Sequence, residues 1–209
     1  MNRALGPVVG ALLTLVACSS DGREMRPPLA GQTESVIIPT DTATFGIDTQ
    51  APIEPEEMTL YGPWLDGEPI PAAHTCDGSW PALSWTEVPD GTVSLALVVL
   101  DTTDTTVDAV GRAHWIVTNI EPTIASIGSG TLPAGAVVAA NAFGSAEAPD
   151  LAWRAPCPPA AEMHTYVFEL HALDQVVELP PESPSGEMVR AIDFATIATA
   201  SLSGSALAI

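Results

Sequence analysis

The 209-residue sequence contains no lysine. All of its positive charge rests on six arginines, set against 26 acidic residues, for a formal net charge of −20. Nucleic acids and anionic headgroup layers are gripped through Lys and Arg, so the composition gives a nucleic-acid partner no footing. Acidity of this kind serves solubility, including in salty media where charges are screened over short distances. Charged residues make up 15% of the chain and hydrophobic ones 46%, which places it among folded proteins rather than disordered polyelectrolytes. Aromatics are few, at 5%. The chain has no Gly-x-Ser-x-Gly elbow, no phosphate-binding Gly-rich loop and no Cys-x-x-Cys or paired-His metal spacing. These absences remove the usual footing for a hydrolase, a nucleotide enzyme or a metalloprotein, and no cofactor is expected.

What is present begins at the N-terminus. Arg3 supplies a positive start, Ala4–Ala17 is a 14-residue uncharged and mostly apolar run, and Cys18 follows. A membrane span needs roughly 20 apolar residues, so this layout reads as an export signal rather than a transmembrane helix. Its end, Leu15-Val16-Ala17-Cys18, resembles the bacterial lipobox. That resemblance implies cleavage before Cys18 and acylation of its thiol, hence an exported lipoprotein of the cell envelope. An ordinary signal cut near Ala17 is the alternative. Ser19 rather than Asp after the cysteine points to outer-membrane sorting in a host with two membranes. Stable anchoring needs more than one acyl chain, which the lipobox class supplies. Loss of the signal removes Arg3 and no acid, so −20 − 1 gives about −21 for the mature chain. The expected organisation is a signal over 1–17, an acidic Pro/Thr-rich tether over 18–56 and one folded domain over 57–209. A coil of the tether's length reaches roughly 30 Å. Val36-Ile37-Ile38 is its one apolar cluster and a possible strand stub.

Within the domain, Val93–Leu100 is a nearly unbroken apolar run, as expected of a strand buried on both faces. Ala113–Ile120 and Thr165–Leu173 are further strands, the latter alternating through Tyr166, Phe168 and Leu170. Ser183-Pro184 followed by Glu187 marks a helix start with Ser183 as cap. Met188, Ala191, Ile192 and Ala195 then recur at helical spacing. Ala200–Leu207 is a last strand. Cys76 and Cys157 remain after Cys18. In an exported protein such a pair favours a disulfide, with free thiols or a metal as the alternatives.

Several segments stand together in order. They are Gly67-Glu68-Pro69-Ile70-Pro71, Thr75-Cys76-Asp77-Gly78, Leu83-Ser84-Trp85, the Ser94–Val99 run with Asp101, and His114-Trp115-Ile116-Val117. Pro156-Cys157-Pro158-Pro159, His164 with Tyr166-Val167-Phe168, and Ala172-Leu173-Asp174 follow. This series resembles the phosphatidylethanolamine-binding protein family, in its bacterial Raf-kinase-inhibitor-like branch, from about Met58 to Ser205. The resemblance implies a mostly β fold: a large antiparallel sheet packed on a smaller one, with a C-terminal helix. It also implies a small pocket for an anion such as phosphate or a phospholipid headgroup. Carried over position by position, the ligand-binding residues are Asp101, His114, His164 and Tyr166. Imidazole N–H and phenol O–H donate to phosphate oxygens, and a carboxylate can orient a histidine.

The sequence departs from the family pattern in the pocket loops. An Asp-Pro-Asp-Ala-Pro loop reads Asp101-Thr102-Thr103-Asp104-Thr105 here. In the Gly-x-His-Arg segment both glycine and arginine are lost, the latter to Thr165, and a Tyr-Gly-Gly-Pro run reads Trp153-Arg154-Ala155-Pro156. Arg154 is a possible replacement donor. The family is also linked to inhibition of kinases and serine proteases, which makes an unidentified protein partner an expectation. Export argues against a cytosolic kinase. The alternatives are a surface protein with a vestigial pocket, and a hydrolase using Asp101 with His114 as base.

Overall fold

The computed structural model describes residues 57–208, apart from Val110 and Ser129. The expected signal, Cys18, the tether and Val36–Ile38 lie outside the described residues. No helix among the described residues is long and apolar enough to cross a membrane.

In chain order the elements are β1 (Thr59–Tyr61), a 3-10 turn (Ala72–His74), β2 (Leu83–Thr86), β3 (Ser94–Asp101), β4 (Arg112–Ile120) and β5 (Ser126–Ile127). β6 (Val137–Ala139), β7 (Met163–Leu173), α1 (Ser185–Ala195) and β8 (Thr196–Leu207) complete the domain. They form a five-stranded sheet in the order β6-β4-β3-β7-β8 and a three-stranded sheet, β1-β2-β5. Every described strand pair is antiparallel. This is the mostly β, two-sheet fold with one C-terminal helix that the resemblance implies.

All eight residues of β3 are buried because both faces of the large sheet are covered. Leu95, Leu97 and Val99 point into the main core against the small sheet, among Leu60, Trp85, Ile127, Phe168 and Leu202. Ala96, Val98 and Leu100 point the other way, into a second core closed by Met188, Ile192 and Ala195 of α1. Successive strand side chains alternate between faces, so an uninterrupted apolar run is what a strand sandwiched between two cores requires. The helix begins two residues later than Ser183. Pro184 occupies the cap with no side-chain hydrogen bond, and Glu187 stands in the first turn. β8 starts directly at Thr196 and is longer than the expected Ala200–Leu207.

Two local features shape the main core. A Cβ on Gly204 of β8 would lie 2.6 Å from Ile70 and 2.7 Å from the Trp64 indole nitrogen. Its absence lets the 64–70 segment close over the strand, where Trp64 Nε1 donates to the Ser203 carbonyl at 2.8 Å. Trp115 lies between Trp80, stacked at 5.2 Å, and Trp153, edge-on at 5.3 Å. The Trp153 indole N–H donates to the Gly78 carbonyl at 3.0 Å.

Candidate functional site

β3 ends at Asp101, which pairs in register with Tyr166 of β7 on one side and Arg112 of β4 on the other. Its Oδ1 accepts the backbone N–H groups of Thr103 and Asp104, both at 3.0 Å, which folds the chain into an aspartate-stabilised turn. Its Oδ2 accepts from His164 Nδ1 at 2.7 Å. Gly111 (φ +122°) faces this turn, where any Cβ would run into the Asp101 carbonyl.

His164 is only 8% exposed, and its other nitrogen, Nε2, lies 3.3 Å from Glu162 Oε2. Carboxylates only accept, so both ring nitrogens carry protons when both contacts are made. The hydrogen bond to Asp101, reinforced by Glu162, holds the His164 pKa above the ordinary imidazole value against the effect of burial. His164 is therefore occupied by protein carboxylates on both sides. Glu162, which faces it, escaped the sequence reading because its part depends on the strand geometry around His164.

His114 on β4 is 3% exposed. Its Nδ1–H donates to the Arg154 carbonyl at 2.9 Å, while the Arg154 N–H returns a bond to the His114 carbonyl at 3.3 Å. That fixes the proton on Nδ1 and leaves Nε2 with its lone pair. Burial, the leading effect, lowers the His114 pKa and keeps the ring neutral near pH 7. The ring meets Phe143 edge-on at 4.7 Å and Tyr166 edge-on at 5.2 Å.

Tyr166 is fully buried, and its ring stacks 6.4 Å from that of His164. Its hydroxyl makes no hydrogen bond of good geometry, with the Asp101 carboxylate and the Cys157 backbone as its polar neighbours. Burial first, and then the negative charge of Asp101, push its pKa well above the ordinary phenol value, so it stays a protonated donor. Asp101, His114, His164 and Tyr166 thus form one contiguous cluster.

A shallow pocket of about 270 Å³ opens beside the cluster, lined by Cys76, Asp77, His114, Phe143, Arg154, Ala155 and Cys157. Of the four expected residues only His114 lines it. A pocket of about 300 Å³ beside the start of α1 contains none of them. Cys76 and Cys157 are joined by a disulfide (S–S 2.08 Å) that forms part of the pocket wall, and the Cys76 N–H donates to the Pro156 carbonyl at 2.9 Å. The free-thiol and metal alternatives for this pair therefore fall away. Arg154, half-exposed on the rim, is ion-paired with Asp150.

The altered loop residues support one another. Thr102 donates to the Thr165 carbonyl through both its backbone N–H (3.0 Å) and its hydroxyl (3.1 Å), and the Thr165 N–H donates to Thr103 Oγ1 at 2.9 Å. Arg112 donates through Nε to Asp104 at 2.6 Å and lies over the Phe143 ring at 5.1 Å. Hydrogen bonds from Thr106 and then Arg112 hold the Asp104 carboxyl well below the usual carboxylate range.

The sequence profile of the phosphatidylethanolamine-binding proteins matches residues 63–206. The chain belongs to this family. Among relatives, the UPF0098 protein of Methanothermobacter thermautotrophicus is 35% identical over 144 residues, covering 65% of this chain and 88% of its own. Escherichia coli YbhB is 30% identical over 151 residues, covering 66% and 91%. The crystal structure of the family homolog CT736 from Chlamydia trachomatis superposes with TM-score 0.62 at 32% identity, over 72% of this chain and 97% of that one. That of Escherichia coli YbcL superposes with TM-score 0.64 at 27% identity, over 74% and 99%. These likenesses fix the family and the fold, and the family is one of binding proteins.

Proposed function

We propose that this domain is a binding module that takes a small anionic group, of the phosphate or phospholipid-headgroup kind, in the pocket over His114. One observation carries the reading: His114, held through Nδ1 by the Arg154 carbonyl, lines a pocket that opens over it, with the buried, protonated Tyr166 ring edge-on behind. A protonated imidazole and a guanidinium both donate hydrogen bonds to anion oxygens. Arg154 on the rim adds a positive charge, partly spent on Asp150. The hydrolase alternative needs Asp101 to orient His114, but Asp101 bonds His164, and His114 is oriented by a backbone carbonyl. The test is calorimetric titration of the full chain with inorganic phosphate and with phosphoethanolamine. Saturable one-to-one binding is expected, weakened at least tenfold in His114→Ala. No heat at millimolar ligand would sink the proposal.

The resemblance of Leu15–Cys18 to a lipobox supports a setting outside the cytoplasm, with the domain tethered to an envelope membrane and able to modulate a protein partner there. Detergent phase partition checks the anchor. The expressed protein should enter the detergent phase and Cys18→Ser should leave it. Equal partition of both would overturn the anchor.

A further inference from the structure

α1 buries Met188, Ile192 and Ala195, yet its Phe194 is 86% exposed. Val176 (48%), Leu179 (36%) and, three residues further along the chain in β8, Ile197 (47%) are exposed as well. Together with Val177 and Ala191, the first two of these and Phe194 line a groove of about 480 Å³ between α1 and the segment that follows β7. An exposed aromatic stabilises nothing in water, and clustered exposed apolar side chains mark contact surfaces. The groove lies on the face of the large sheet that α1 covers, away from the Tyr166 side.

Charge says what fits it. Glu178 lines the groove, and Asp174 and Asp193, each next in sequence to a lining residue, are exposed. Arg190, the base within α1, reaches back toward the helix start. Its Nη1 lies 3.5 Å from where a Cβ on Gly186 would sit, and Asp108 Oδ2 lies 3.1 Å from the same point. The rim is thus acidic, on a chain of net charge −20. A second copy would bring an identical acidic rim against it, and an anionic bilayer would be repelled as well.

We infer that this groove docks a basic, apolar segment of another protein, with an apolar anchor packed on Phe194 and Leu179 and flanking Lys or Arg meeting Asp174, Glu178 and Asp193. The test titrates the full chain with a synthetic amphipathic Leu/Lys peptide and, separately, with its Leu/Glu counterpart. The Leu/Lys peptide should bind one-to-one. It should weaken at least tenfold in Phe194→Ser/Leu179→Ser and again in Glu178→Gln/Asp193→Asn, with melting temperatures unchanged, and the Leu/Glu peptide should not bind. Absence of binding, or equal binding by the Phe194 variant, overturns the proposal. Phe194-dependent self-association in sedimentation, or Phe194-dependent uptake on phosphatidylcholine vesicles, would assign the groove to a second copy or a lipid surface instead.

Discussion

Tyr166 and His114 can be separated by substitution and by pH. Tyr166→Phe removes a buried hydroxyl that makes no hydrogen bond of good geometry, so the protein should lose no stability in urea unfolding and should gain up to about 1 kcal/mol. A loss of stability would show that the hydroxyl is satisfied. Burial lowers the pKa of free His114, and an anion placed at Nε2 raises it by favouring the imidazolium. Affinity should therefore be greatest below the free-state pKa and be lost as pH rises through the bound-state pKa. Titrations from about pH 5 to 8 check this against the reference imidazole value near 6.5. Affinity that rises with pH would remove His114 from the contact. His164 has the opposite sign in folding. Its raised pKa contributes stability that is fully present below the unfolded value and lost as pH rises through the folded one.

Among the elements, the disulfide couples two loops separated by 81 positions. In the chain-entropy account such a closure contributes about 4 kcal/mol, so Cys76→Ser/Cys157→Ser should lose stability of that order in denaturant unfolding. A loss well under 1 kcal/mol would mean that the loops are held without it. Long elements were legible in the sequence because a strand between two cores must be apolar throughout, as β3 is, and one with a single core face must alternate, as β7 does from Met163 to Leu170 before its end enters both cores. β1, β5 and β6 span two or three residues, too short to display a period. The helix start was misplaced because proline fits equally as cap or first-turn residue when no side chain closes the cap. At the site, the residues of the cluster were named from resemblance, but their partners were not legible. That His164 is held between Asp101 and Glu162, and that Thr102, Thr103 and Thr165 interlock, depends on the register between β3 and β7.

At the scale of the whole molecule, self-repulsion is the dominant electrostatic fact, since a net charge of −20 opposes compaction. Raising NaCl from about 0.05 to 0.5 M shortens the screening length severalfold, so the melting temperature should climb by a few degrees. A flat or falling response would place the acids where they stabilise the fold through local contacts.

The cluster of Trp80, Trp115 and Trp153 has an optical consequence. Indoles packed this closely and rigidly couple their electronic transitions, so the domain should show structured near-ultraviolet circular dichroism. Trp153 is tied to Gly78, two residues from Cys76, so movement of the pocket wall would register in that band before any strand is disturbed.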